Sequence, residues 1–190
     1  MLADGGTTIA DATRFAYMTG WRKSEVLGMT WDRVDHEGRE VRLHTSKNNR
    51  PRTLCFEPED WALIERRFLA RSYRTSDGVM HESEFVFHAG DGRRVVDFKR
   101  SWATATKLAG VPGRLFHDLR RSFARDARRD GISESDIMAV GGWETRKVFQ
   151  RYSITNPDDT KVVIARTRKH REARLWEATT GQMAQPVAEA

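Results

Sequence analysis

Two arginine-centred groups in this sequence have the residue types and spacing of phosphate chemistry. His117 and Arg120 stand three residues apart in a segment with helical periodicity, so their side chains share a face. A guanidinium presents a planar fork of donors that matches a phosphodiester, and an imidazole beside it carries a tunable proton. Arg22 follows a helix break at Gly20, and Glu25 lies one turn further on. Alone, the first pair is more often a surface histidine and arginine, and the second a local ion pair, worth little if exposed. Other chemistries have less support. The six histidines show no His-Glu-x-x-His spacing, which argues against zinc. Gly5-Gly6 and Gly141-Gly142 lack the strand, helix and following lysine of a phosphate loop. The single cysteine, Cys55, excludes an internal disulfide. It falls within an expected strand, where a small buried apolar role is expected rather than that of a nucleophile.

The elements that must position these groups follow from periodicity. Thr8 to Met18 reads as a helix with Ile9, Ala12, Phe15 and Ala16 on one stripe, ended by Gly20; a short helix is expected over Lys23 to Gly28. Val41, Leu43 and Thr45 alternate with Arg42 and His44 in the period-two pattern of a half-buried strand. Arg52 to Phe56 is its expected partner across an Asn48-Asn49 turn, with a third strand near Trp31 to Asp35. Pro58 starts a helix whose stripe is Trp61, Ile64 and Phe68. After a Ser76-Asp77-Gly78 loop, Glu84 to His88 is expected to be extended and Asp97 to Ala109 helical. Phe116, Leu119, Phe123 and Ala127 then line the inward face of a helix ending near Gly131, with His117 and Arg120 on a different face. Ser133 caps a helix stopped by Gly141-Gly142, and Glu144 to Tyr152 is expected to be helical. Asn156-Pro157-Asp158-Asp159 begins another helix.

Charge is distributed unevenly over the 190 residues. Residues 1–95 carry 15 basic and 15 acidic side chains; residues 96–190 carry 18 and 12, so the whole net charge of +6 lies in the second half. With a sequence pI near 9.8, this pattern fits a polyanion partner or, equally, a solvated basic face. Lys99, Arg100, Arg121, Arg125, Arg128 and Arg129 are the residues expected to contact the phosphates of such a polyanion. No apolar run approaches the ~18–20 residues that span a bilayer, and no signal pattern opens the chain, so a soluble cytoplasmic protein is expected, with no membrane partner.

A series of segments resembles the tyrosine recombinases, the phage-integrase family. Thr19-Gly20-Trp21-Arg22-Lys23-Ser24-Glu25 resembles their first arginine box, and Gly28-Met29-Thr30-Trp31-Asp32 its continuation. Lys47-Asn48-Asn49-Arg50-Pro51-Arg52-Thr53-Leu54 resembles the family's hairpin, in which a lysine precedes the turn and an arginine opens the second strand. His117-Asp118-Leu119-Arg120-Arg121-Ser122-Phe123-Ala124 resembles the second box. Gly141-Gly142-Trp143 stands where members have Leu-Gly-His or Leu-Gly-Trp, and Gln150-Arg151-Tyr152 ends the series.

The resemblance implies an α+β, mainly helical fold, that of a tyrosine-recombinase catalytic domain with a small antiparallel β-sheet at one edge. It implies site-specific DNA recombination, the integration or excision of a mobile element of bacterial or phage origin. Arg22 and Arg120 would clamp the scissile phosphate, with His117 and Trp143 donating hydrogen bonds and Glu25 and Asp118 in support. Tyr152 would attack to give a 3′-phosphotyrosyl link, and Lys47 would protonate the leaving 5′-oxygen. No metal or other cofactor is implied. The expected partners are double-stranded DNA and copies of the chain itself: a monomer in solution, a homotetramer on paired sites through the C-terminal helix. Because only 21 residues precede Arg22, residues 1–176 are expected to be a front-trimmed catalytic domain lacking the N-terminal clamp, with 177–190 a flexible tail. Two other readings stay open: a catalytically silent DNA-binding remnant, and a type IB topoisomerase-like enzyme.

Overall fold

The computed structural model describes the backbone of residues 5–43, 51–152 and 157–183, with side chains over 8–43, 51–152 and 160–176. Its elements are α1 (Gly5–Thr19), α2 (Lys23–Leu27), β1 (Val34–Asp35), β2 (Glu40–Leu43), β3 (Arg52–Cys55), α3 (Pro58–Leu69), β4 (Ser72–Arg74) and β5 (Met80–Glu82). There follow α4 (Lys99–Leu108), α5 (Asp118–Arg129), α6 (Glu134–Gly141), α7 (Arg146–Gln150) and α8 (Pro157–Met183). The chain divides into two units, Met1–Ser153 and Ile154–Ala190.

In the first unit, α1 buries Ala12, Phe15 and Ala16 of the expected stripe, with Ile9 partly buried against the core and Thr19 buried at the end of the helix. A three-stranded antiparallel sheet in the order β1-β2-β3 pairs Val41 with Leu54 and Leu43 with Arg52. Val41, Leu43 and Leu54 face the core, together with Trp61, Leu63 and Ile64 of α3. Thr45, His44 and the Asn48-Asn49 turn lie outside the described residues. The strand expected near Trp31 is shorter than anticipated: Trp31–Arg33 forms a 3-10 turn and only Val34–Asp35 pairs. Pro58 opens α3, with Glu59 and Asp60 in the first turn and Arg66 and Arg67 in the last, as the helix dipole favours.

Cys55 departs from expectation. Alternation in β3 turns Leu54 inward and leaves Cys55 exposed, with Sγ 3.5 Å from Glu40 Oε1. Glu84 to His88 forms no strand and contributes only single bridges, Thr30 with Phe85 and His88 with Arg94.

A second, smaller core gathers Ala124, Ile137, Trp143 and Phe149, with Phe123, Ala127, Met138 and Tyr152 against it. It is formed by α5, α6 and α7. The separate unit contains α8, a 27-residue helix whose Val162, Val163, Ile164, Leu175 and Trp176 are exposed. Asn156 lies outside the described residues. Among the described residues, no helix is long and apolar enough to cross a membrane.

Candidate active site

The site begins at the turn after α1. Thr19 Oγ1 donates to the Phe15 carbonyl at 2.8 Å and accepts from the Trp21 N–H at 3.3 Å, so the chain turns sharply at Gly20. Gly20 has φ +64°, and a Cβ there would lie 2.4 Å from Phe123 Cδ1. Glycine is the residue that fits both demands. Arg22 then starts α2 bound twice to Glu25: its backbone N–H donates to Oε2 at 2.8 Å and its Nη1 to Oε1 at 2.9 Å. Glu25 is buried. Burial alone would raise its carboxyl, but the Arg22 N–H and the Arg52 and Arg22 guanidinium groups outweigh it and hold the group below its ordinary range.

Opposite stands the C-terminus of α6. Ser133 Oγ accepts from the Asp136 N–H at 3.2 Å at the helix start, and Gly142, with φ +72°, ends it. The terminal carbonyls, the negative pole of the helix, are taken up by cations and an indole. Trp21 Nε1 donates to the Val140 carbonyl at 3.2 Å, and Arg52 Nη1 to the same oxygen at 3.4 Å. Arg120 Nη1 donates to the carbonyls of Gly20 and Gly141. Arg22 Nη2 and Arg120 Nη2 each reach the Gly142 carbonyl at 3.4 Å.

Arg120 is 2% exposed, deeper than Leu119 and Phe123 of the expected inward stripe. Although periodicity sets it off the apolar stripe, the helix buries this cation, because backbone carbonyls from two other segments satisfy it. Burial and the neighbouring Arg22 bring its pKa down to about 10, so it stays charged at neutral pH. The guanidinium lies 3.7 Å from the Trp143 ring and 5.8 Å from that of Tyr152. Trp143 packs edge-on to Tyr152 at 5.4 Å, and its Nε1 is buried with no acceptor among the described residues.

His117 caps α5, with Nε2 2.9 Å from the Tyr152 hydroxyl. Partial burial of the ring, then Arg120 and Arg121, hold the imidazole below its ordinary pKa, favouring the neutral form. Asp118 accepts from the Leu115 N–H at 2.9 Å and fixes the entry into α5. Arg22, Glu25, His117, Arg120, Trp143 and Tyr152 thus converge from four segments; Lys47 lies outside the described residues. Lys99, Arg100, Arg121, Arg125 and Arg129 are exposed and Arg128 half-buried. Several are engaged with acids, as in Arg121–Asp118 at 3.4 Å and Arg125–Asp126 at 2.8 Å.

Sequence reasoning noted Arg52 only as part of a motif and gave Gly141 no reason. The Gly141 position has one: a Cβ there would lie 2.0 Å from Trp143 Cζ3, so the small residue and the large indole occupy one volume. Gly141→Leu should destabilise the fold by about 1–3 kcal/mol, the usual cost of overpacking. The same change beside Trp143→His should cost much less. Urea unfolding of the two single variants and the double variant checks this, and additive costs would show that the two positions are independent.

Residues 4–158 match the sequence model of the Phage integrase family. The chain is 26% identical over 161 residues to the integrase of Salmonella phage P22, an alignment covering 79% of this chain and 40% of that protein. It is 25% identical over 140 residues to a shufflon-specific DNA recombinase of Escherichia coli, covering 73% of this chain and 32% of the relative. The chain therefore spans less than half the length of the curated relatives it matches. Its fold is similar to that of the XerA recombinase crystal structure, with a TM-score of 0.66 at 19% identity over 88% of this chain and 64% of the other. It is likewise similar to the Tn1549 transposon integrase in complex with transposon right end DNA, at TM-score 0.65 and 16% identity over 85% and 59% of the two chains. The α+β, mainly helical fold with small antiparallel sheets is that of these catalytic domains.

Proposed function

The chain belongs to the phage integrase family, and on that premise we propose that it cuts and rejoins DNA at specific sites through a 3′-phosphotyrosyl intermediate on Tyr152. One observation carries the reading: the Tyr152 hydroxyl sits 2.9 Å from His117 Nε2, beside a buried Arg120 and the Trp143 indole. Attack of a phenol on a phosphodiester builds negative charge on the non-bridging oxygens, and the neighbouring Arg22 and Arg120 guanidinium groups supply positive charge and donors to answer it. The Tyr152 oxygen bonds to phosphorus as the bond to the 5′-oxygen breaks. Neutral His117 takes the phenol proton, and Lys47 returns one to the leaving 5′-oxygen. Rejoining is the reverse, with the phosphotyrosine conserving the bond between the steps.

The test is a duplex library with a randomised core, nicked near its centre so that the cleaved end diffuses away. Covalent protein–DNA products are captured and sequenced. Adducts enriched for one sequence support the reading. Binding without any adduct would leave a silent DNA-binding remnant, and adducts without sequence choice would favour a topoisomerase-like enzyme.

DNA is the proposed substrate, gripped through phosphates by Lys99, Arg100, Arg121, Arg125, Arg128 and Arg129. Affinity should then fall by ~0.9 log units per phosphate contact for each tenfold rise in salt. Titration over that range checks it, and a flat response would remove these residues from the interface. The chain should be monomeric free in solution and tetrameric on paired sites, where DNA raises the effective concentration of a contact through α8. Such a protein would work in the cytoplasm at the nucleoid of a bacterial host. Residues 1–176 would form its catalytic domain.

A further inference from the structure

Beyond these groups, a third arginine enters the site from the sheet. We propose that Arg52, at the start of β3, is a positioning residue that keeps the fork of Arg22 open toward the phosphate. The inference rests on the proposed cleavage chemistry, but the contacts behind it stand independently. Arg52 Nη2 lies 2.8 Å from Glu25 Oε1, the side chains being 9% and 8% exposed. That same oxygen receives Arg22 Nη1 at 2.9 Å, while Oε2 receives the Arg22 backbone N–H. Oε1 thus faces two guanidinium groups, hydrogen-bonded to Arg22 and ion-paired with Arg52, whose Nη2 is close but not aligned for a hydrogen bond.

The sharing matters for the free donors of Arg22. A buried carboxylate facing a single arginine closes on it as a two-pronged pair, the geometry that suits both partners best. Arg22 would then spend on Glu25 the prongs that a phosphate requires. With Arg52 sharing Oε1, Arg22 commits one Nη1 hydrogen and its backbone N–H to Glu25 and one Nη2 hydrogen, at 3.4 Å, to the Gly142 carbonyl, which leaves Nε–H and one hydrogen on each terminal nitrogen for a phosphate. Arg52 is itself fixed. It reaches the Val140 carbonyl at 3.4 Å, lies 5.2 Å from the Trp21 ring, and comes so near Gly142 that a Cβ there would stand 2.0 Å from Nη1. A side chain at 142 would displace Arg52 from the carboxylate, which gives the second glycine of Gly141-Gly142 its physical reason. A lysine could replace the charge of Arg52 but not its simultaneous contacts with Glu25 and Val140.

Two measurements on Arg52→Gln and Arg52→Lys test the proposal. In the nicked-duplex assay at saturating DNA, Arg52→Gln should slow adduct formation by about 10- to 100-fold, the range for displaced supporting contacts and misaligned groups, with little change in DNA affinity. Arg52→Lys should recover part of the rate. Without DNA, the side-chain NMR signals of Arg22 Nε–Hε should shift and exchange faster with water in Arg52→Gln, because the shared carboxylate rearranges. An altered Arg22 signal together with absent cleavage in the parent chain would retire the cleavage reading and keep the positioning role. Unaltered Arg22 signals, or Arg52→Gln cleaving at the parent rate, would overturn the role of Arg52. Should Arg52→Gln fail to fold, Arg52→Lys carries both measurements, with smaller changes expected in the same direction.

Discussion

Tyr152→Phe should form no covalent product on nicked DNA that the parent chain captures, a loss on the order of 10⁴-fold or more, as when other covalent enzymes lose the attacking group. The substitution removes one oxygen. The ring that packs at 5.4 Å against Trp143 remains, so folding and DNA affinity should hardly change. The hydrogen bond to His117 is worth about 0.5–1.5 kcal/mol at most. The parent reaction should also slow as pH falls, because protonation of His117 removes the acceptor for the phenol proton. Burial, Arg120 and Arg121 hold that imidazole below its ordinary value of 6.5, so the decline should begin below about pH 6.5 rather than above it. A covalent product that survives Tyr152→Phe would place the nucleophile elsewhere.

Arg120→Ala should lower the cleavage rate by about 10²–10³, the usual cost of one lost donor to a developing oxyanion. It should also destabilise the fold, unlike the same change at Arg22. Arg120 is 2% exposed and donates to the carbonyls of Gly20 and Gly141; removing it strands buried acceptors, at about 1–3 kcal/mol. The Arg22 side chain is 32% exposed and its loss leaves Glu25 still paired with Arg52. Arg120→Lys separates the two effects, since an ammonium supplies charge and one or two bonds but not the fork. Unfolding curves and single-turnover rates for the three variants measure this. Parent-like cleavage by Arg120→Lys would show that the fork is not what the reaction requires.

These expectations differ in how far sequence could have reached them. The stripes of α1 and α3 were readable because local periodicity dictates which residues turn inward, and Ala12, Phe15, Trp61 and Ile64 all do. The first and second boxes were legible through their resemblance to the phage-integrase family. The hairpin of β4 and β5 escaped notice for the opposite reason: Ser72, Arg74, Met80, His81 and Glu82 are all exposed, so no inward face imposes alternation. Arg67 was hidden within an apolar stripe, yet it is fully buried, donating to the Val86 carbonyl 19 residues away. Arg120 falls off the apolar stripe by periodicity, and its burial escaped the sequence because its satisfying carbonyls belong to Gly20 and Gly141, which no helical wheel can display. Cys55 was placed inside on composition, when the register with Leu54 decided the matter.

The reach of Arg120 has a consequence for how the molecule comes into being. Its guanidinium binds a carbonyl 100 residues earlier and another 21 residues later. Local helices such as α1 and α5 can form and dissolve within microseconds on their own. Closing a loop of that span carries an entropic cost that grows with the logarithm of its length, and contacts of high sequence separation are slow to form. No fragment ending before Gly141 can satisfy Arg120, and Tyr152 leaves the ribosome after every other member of the constellation. Synthesis therefore delivers the Tyr152 hydroxyl after the groups it packs against, and on the proposed chemistry a nascent chain that ends before it could form no phosphotyrosyl link.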